Sequence, residues 1–248
     1  MSDTPFYADW KFWSALASFT AIILSQLPHI RFWFRKAKLE LEVYSRVMIS
    51  HKVGNPNIQL HLILTNTGGR SLKIKTITAI MKREGGHPFS ISAQGFFQLP
   101  TDKDSILLTP FKIAPDQDWG HIVNFFNPFS RVEDKEYRQL ESNLRADIVN
   151  KRTTLTNKDV DVPADQKFVD PILAFFNRKF IWEPGEYEME LQIEAEPKSA
   201  NLSTKFRFTL FESESQELRD IQNGYQFGAG VFYEPPRITS LFIPLAKP

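Results

Sequence analysis

The spacing of hydrophobic and polar positions changes near residue 39, and the change divides the chain. From Phe12 to Ile30 nineteen residues carry no formal charge, bounded by Lys11 and Arg31. As a helix they would span about 28 Å, the thickness of a hydrocarbon core. The central run from Ala15 to Leu27 has only Ser18, Thr20, Ser25 and Gln26 as polar members, and hydroxyls can bond back to the carbonyls of their own helix. Tyr7, Trp10 and Trp13 crowd one end, and Phe32, Trp33 and Phe34 the other, as suits two headgroup regions. The pattern predicts a transmembrane helix over 12–30, with a short tail over 1–11 and a basic juxtamembrane segment over 31–38. Arg31, Arg35, Lys36 and Lys38 follow the apolar run instead of preceding it, and no small-x-small site appears before Leu39. A signal anchor is therefore expected in place of a cleaved signal peptide. The basic excess after the helix predicts a single-pass protein whose C-terminal part stays in the cytoplasm.

After the basic segment the period becomes two. Leu39, Leu41, Val43, Val47 and Ile49 alternate with Glu40, Glu42, Tyr44 and Arg46, the signature of a half-buried strand. Ile58, Leu60, Leu62 and Leu64 alternate with Gln59 and His61; Leu72, Ile74 and Ile80 follow after the turn residues Asn66, Thr67, Gly68 and Gly69. Late in the chain Tyr187, Met189, Leu191 and Ile193 alternate with Glu188, Glu190, Gln192 and Glu194, and Phe206, Phe208 and Leu210 with Lys205 and Arg207. No βαβ rhythm appears, so the expected fold is mainly β, an antiparallel β-sandwich over 39–248.

A helical insertion interrupts it over about 130–178. Tyr137, Leu140, Leu144 and Ile148 recur at three- and four-residue spacing, and Ser130 with Glu133 forms a capping-box pattern. The polar stretch from Lys151 to Gln166 reads as a mobile loop, and Phe168 to Phe176 as a short helix broken near Pro171. Ser213 to Gln222 reads as a short polar helix, followed by glycines at 224, 228 and 230 and an apolar tail at Leu241, Phe242 and Ile243.

Two segments carry a family resemblance: Leu62-Ile63-Leu64-Thr65-Asn66-Thr67-Gly68, a strand running into a turn, and Pro184-Gly185-Glu186-Tyr187 leading into a late strand. They resemble bacterial immunoglobulin-like modules over about a third of the chain. The overall plan is similar to uncharacterised bacterial single-pass inner-membrane proteins with an N-terminal anchor. That resemblance implies an immunoglobulin-like sandwich and the bacterial inner membrane, and it carries no activity with it.

Composition narrows the function classes. The chain has no cysteine, which excludes disulfides, thiolate metal sites and a cysteine nucleophile. Its 30 basic and 29 acidic groups leave 25 and 27 after residue 38. That balance lacks the positive excess expected of a nucleic-acid binder, so none is predicted as a partner. No Gly-x-Ser-x-Gly elbow, phosphate-cradling loop or His-Glu-x-x-His occurs. The five histidines at 29, 51, 61, 87 and 121 are scattered singly. Asp118 and His121 make the best acid–base lead, yet on a strand Trp119 and His121 share a face while Asp118 points away. Asp159, Asp161, Asp165 and Asp170 surround a loop, but Pro163 and Ala164 fall where a calcium loop needs an oxygen ligand and a glycine. No catalytic residue, cofactor or metal is predicted.

The aromatic stretches are the remaining lead. Phe125, Phe126 and Phe129, with Phe180 and Trp182, flank the insertion; where such rings stay exposed they make a partner surface. The sequence thus predicts a membrane-tethered binding or scaffolding module with a protein partner. Its alternatives are an enzyme whose site is assembled from distant residues, a periplasmic envelope factor, and a membrane-acting effector.

Overall fold

The computed structural model describes residues 10–26, 35–102, 104–153, 161–234 and 240–247. Helix α1 (Trp10–Gln26) is 17 residues long, and the side chains described along it are all exposed. The hydroxyls of Ser18 and Thr20 donate to the carbonyls of Ser14 and Leu16 at 2.9 and 2.8 Å, the back-bonding expected of them. At its length α1 reaches about 25 Å. No described helix is long and apolar enough to cross a membrane. This corrects the transmembrane helix expected over 12–30, and the single-pass, signal-anchor, inner-membrane and cytoplasmic-side assignments built on it. The described helix takes in Lys11 and covers Trp10–Gln26, and residues 27–30 of the expected span lie outside the described residues. The aromatic cluster at Phe32, Trp33 and Phe34 lies outside the described residues.

Alternation of period two makes the strands. In chain order they are β1 (Leu39–Val43), β2 (Arg46–Lys52), β3 (Asn55–Asn66), β4 (Leu72–Arg83), β5 (Phe89–Phe97), β6 (Ile106–Leu107), β7 (Phe111–Ile113), β8 (Asp118–Phe126), β9 (Gly185–Glu196), β10 (Leu202–Leu210) and β11 (Leu241–Pro244). They form one sheet in the order β10-β9-β4-β5-β8-β3-β2-β11, with β1, β6 and β7 added on β3, β5 and β4. Beyond β11, Ala246 exchanges two backbone hydrogen bonds with Arg207 of β10, at 2.8 and 2.9 Å, so the ends of the sheet meet and it is nearly closed.

The fold is thus mainly β and sandwich-like, but the immunoglobulin-like pair of separate sheets is corrected to a single folded-over sheet. Strand β5 is the reason. Its first half pairs with β4 and its second half with β8, with a register shift between Ala93 and Gly95. A bulge of this kind bends the strand and increases its twist. At Gly95 the carbonyl oxygen of Ile106 lies 2.8 Å from where a Cβ would stand, so only glycine admits β6 there.

The inward face of each strand is apolar: Ile58, Leu60, Leu62 and Leu64 from β3, and Tyr187, Met189, Leu191 and Ile193 from β9, are all buried. In the turn after β3, Asn66 is wholly buried and fully satisfied. Its Nδ2 donates to the carbonyls of Arg70 and Ile113 at 2.8 and 2.9 Å, and its Oδ1 accepts from the Gly68 amide.

Helices close one end of the sheet. In α2 (Arg131–Thr153), Tyr137, Leu144 and Ile148 are buried, and Ser130 and Glu133 form the capping box. The Ser130 amide donates to Glu133 Oε2 at 2.9 Å and the Glu133 amide to Ser130 Oγ at 3.3 Å. Helix α2 runs to Thr153, past the start of the loop expected at Lys151; residues 154–160 of that loop lie outside the described residues.

Helix α3 (Gln166–Lys179) passes through Pro171 unbroken, contrary to the expected break. The proline costs about 3 kcal/mol. Val169, Ile172, Phe175 and Phe176 are buried by the same helix, each contributing about 1.5–3 kcal/mol, and together they outweigh the missing hydrogen bond. Helix α4 (Glu212–Asp220) and a 3-10 segment (Ile221–Phe227) complete the cap.

The tip of the β2–β3 hairpin fastens cap to sheet. Val53 and Gly54 both have positive φ, 46° and 82°, as a tight hairpin turn requires. Val53 is buried, so its strained backbone is held by the burial of its side chain. A Cβ at Gly54 would lie 2.5 Å from the carbonyl oxygen of Phe176 in α3. Next to the turn, His51 Nδ1 accepts from the Gly54 amide at 3.1 Å, which leaves Nε2 to donate to the Leu218 carbonyl of α4 at 2.8 Å. Its ring packs on Phe176 and Phe180. Trp182 Nε1 donates to the Ser50 carbonyl at 3.0 Å, and Ser215 Oγ to the Trp182 carbonyl at 2.6 Å.

Gly54→Ala combines a left-handed backbone with a clash against α3, so it is expected to destabilise the fold by about 2–4 kcal/mol, measured as a lowered midpoint in urea unfolding at unchanged slope. Burial holds the His51 imidazole below its ordinary value of 6.5. The folded state therefore favours neutral His51, and its contribution to stability is complete above pH 6.5. Below that the unfolded chain takes up the proton first, and stability is lost as pH falls. Urea titrations between neutral and mildly acidic pH are expected to show a smaller acid-side loss in His51→Gln than in the unmutated chain; parallel curves would refute the assignment.

Candidate functional site

Where α2 leaves the sheet, a cleft of about 540 Å3 opens. Its floor is the outer face of the sheet end: Lys52 at the end of β2, Asn55 and Asn57 at the start of β3, and Phe126 at the end of β8. Its wall is the flank of the first half of α2 that borders its buried side, with Asp134, Tyr137, Arg138 and Glu141. Phe129 closes the corner between them. Helical spacing sets the wall, because residues 134, 137, 138 and 141 follow one another at i, i+3, i+4 and i+7. Strand alternation sets the floor: Ile58 and Phe125 point into the core, which turns Asn57 and Phe126, an opposed pair in the β3–β8 register, outward.

The cleft is braced. Tyr137 is buried, its hydroxyl donates to the Val231 carbonyl at 2.6 Å, and its ring lies 5.3 Å from Phe129 and 5.8 Å from Phe175. Burial, then the charge of Glu141, pushes the Tyr137 hydroxyl far above the ordinary phenol value, so it is a fixed donor and not an acid. Asn55 Nδ2 donates to the Asn127 carbonyl at 2.9 Å. At the foot of α2, Lys179 of α3 engages Glu133, and that hydrogen bond together with the Ser130 amide brings the Glu133 carboxyl down to about 2.

Its charges are mixed. Arg138 Nε holds Asp134 Oδ2 at 2.8 Å, and Lys52 Nζ stands 5.8 Å from the centre of the Tyr137 ring. The charge of Glu141 acts on both Tyr137 and Arg138. The amide oxygen of Asn57 is buried without a hydrogen-bond donor, and so is that of Asn124. Asn124 lies opposite Gln59 while Asn57 lies opposite Phe126, so the two are diagonal neighbours on the outer face.

Of the five aromatic residues proposed from sequence as an interaction surface, Phe126 and Phe129 line the cleft. Phe125, Phe180 and Trp182 are buried. Phe180 packs under the Arg219 guanidinium at 4.4 Å, and Trp182 joins β2 to α4 through the bonds described above. Asn57, Asn124 and Glu141 gave no signal in sequence, since a polar residue on the wet face of a strand or helix is the ordinary case.

The acid–base lead does not converge. Trp119 and His121 share a face, with ring centroids 4.8 Å apart, and pack with Phe96 and Phe111. Asp118 is exposed, and His121 Nδ1 meets the Phe97 carbonyl at 3.2 Å. The loop acids face cations or amides: Asp161 meets Arg152 at 3.8 Å, Asp165 meets Lys151 at 2.6 Å, and Asp170 accepts from Gln166 at 2.7 Å. Asp159 lies outside the described residues.

No protein-family model matches the chain, and no curated protein matches it. Among solved structures it is similar to the ApaA protein described from Bordetella pertussis, at 10% identity and a TM-score of 0.28, over 70% of this chain and 94% of that one. It is also similar to Spo0M, the sporulation control protein of Bacillus subtilis, at 11% identity and a TM-score of 0.29, over 75% of this chain and 55% of that one.

Proposed function

We propose that this protein is a binding module and that the cleft between the sheet end and α2 receives a polypeptide segment of a partner. The observation that carries the reading is the cleft's composition on a braced frame: half-buried rings at Phe126 and Phe129 beside the amides of Asn55 and Asn57. Apolar surface with a few fixed polar groups is what a recognition pocket needs. A hydrolytic or acid–base reading finds less support, because Asp118 and His121 occupy opposite faces of β8 and the cleft's one tyrosine is committed as a donor to Val231.

Selection of peptides from a random display library on the full chain tests this. Selected peptides are expected to bind Phe126→Ala about tenfold more weakly than the unmutated protein, the two being compared at equal folded fraction by urea unfolding, since the half-buried ring also contributes to stability. Peptides that bind both proteins equally, or a library that yields no binder, would refute the cleft as the binding site.

A further inference from the structure

Among the described residues, helix α1 and one outer face of the sheet are two large apolar surfaces that the fold leaves bare. Along α1 the described side chains are all exposed, Phe19 by 63% and Ile22 by 61%. The helix is nevertheless two-sided. Phe12, Leu16, Phe19 and Ile23 follow one another at i, i+4, i+7 and i+11 and fall on one stripe, while Lys11, Ser14, Ser18 and Ser25 fall on the other side. A helix with a greasy stripe and a hydroxyl-lined back needs an apolar surface to lie on.

Such a surface exists on the outer side of β3, β8 and β5. Leu62, Leu64 and Val123 point into the core, so their neighbours Ile63 and Ile122 point out, and Phe97 stands opposite Ile122. In the next row Phe242 stands opposite Met48, Met48 opposite Gln59, and Gln59 opposite Asn124. Leu107 of β6 extends that row through Gly95. Leu107 and Phe242 are exposed by 77% and 59%. Neither row holds an aspartate, glutamate, lysine or arginine. The opposite outer face of the same sheet is built differently: Glu188 of β9 stands between Lys82 and Arg207, and Glu190 opposite Lys205. That charged face is what an antiparallel sheet presents to water, and the β3–β8–β5 face departs from it.

Within one chain the two surfaces do not meet, since α1 buries none of its described side chains. The chain enters the body at the rim of the apolar face, where Arg35 meets Asp116 at 2.9 Å, two residues ahead of β8. The stretch from Gln26 to Arg35 reaches at most about 30 Å, which lets α1 extend to a neighbouring copy. A lipid surface fits α1 less well, because an interfacial helix carries lysines and arginines along its wet side and this one carries Lys11 alone.

We infer that the protein forms a symmetric dimer in which α1 of each copy lies on the outer β3–β8–β5 face of the other, its Phe12, Leu16, Phe19 and Ile23 stripe against Ile122, Phe97 and Leu107. A helix about 25 Å long and about 10 Å wide has a footprint of about 250 Å2. Two such footprints, counted on both surfaces, come to about 1,000 Å2, the lower limit for a specific interface. The contact lies on rows beyond the Asn57–Phe126 pair that floors the cleft, and it does not depend on the reading of the cleft.

Sedimentation of the full chain in detergent-free buffer is expected to give a dimer. Phe19→Glu on the helix and Leu107→Glu on the sheet, both at exposed positions, are each expected to raise the dimer dissociation constant about tenfold or more, with circular dichroism unchanged. The chain has no cysteine, so introduced thiols report the contact directly. Chains carrying Phe19→Cys mixed with chains carrying Leu107→Cys are expected to cross-link to each other through a short bismaleimide in preference to themselves. A chain that is monomeric at every concentration, a dimer indifferent to Leu107→Glu, or preferential cross-linking of one α1 to another would each overturn the inference. So would a monomer that binds lipid vesicles through Phe19, which would assign the stripe to a lipid surface.

Discussion

The insertion of the β2–β3 hairpin tip beneath α3 is the constraint on which the rest of the structure depends. The space between Gly54 and the Phe176 carbonyl is too small for a side chain, so backbone packs on backbone. That approach brings His51 to α4 and Val53 into the core, and it sets the height at which Asn55 and Asn57 emerge from the turn. The floor of the cleft is therefore positioned by the same contact that joins the helices to the sheet. Its wall is positioned separately, by Tyr137 reaching the Val231 carbonyl and by Phe129 wedged between Tyr137 and Phe175. Floor and wall are thus each fixed by buried groups, and the space between them is left for something else.

Much of the fold was legible in the sequence, for a physical reason. A strand with one wet face writes its orientation into every second residue, so the inward sets in β3, β9 and β10 could be read directly. Helix α2 was equally plain, because Ser130 and Glu133 announce its start and Tyr137, Leu144 and Ile148 mark its buried side. What alternation does not encode is which strand pairs with which. The sheet turns over at β5 through a bulge at Gly95, and a single glycine among alternating residues gives no hint that the strand divides its pairing between β4 and β8. A two-sheet sandwich was the expectation, and one continuous sheet is the result.

The two helical corrections differ in kind. Counting uncharged residues from 12 to 30 measured composition, whereas the described helix covers Trp10–Gln26 and takes in Lys11. At Pro171 the error ran the other way: a strong local rule predicted a break, and burial of four apolar side chains on the inner face of α3 overrode it. The energy available to oppose a local preference decides whether that preference holds.

The cleft was the least legible part, and the reason lies in how binding surfaces are made. Core residues announce themselves by periodicity, while Asn57, Asn124 and Glu141 occupy positions where a polar residue is unremarkable. Only the three-dimensional arrangement gives Asn57 and Glu141 a role, by placing Asn57 beside Phe126 in one cleft with Glu141 of α2. Because Phe129, Tyr137 and Asn55 are already held by neighbours, an incoming segment would find the walls ordered and would pay mainly for its own immobilisation. The proposed binding role therefore rests on a surface that is braced from behind and partly apolar, with a few polar groups at its edge.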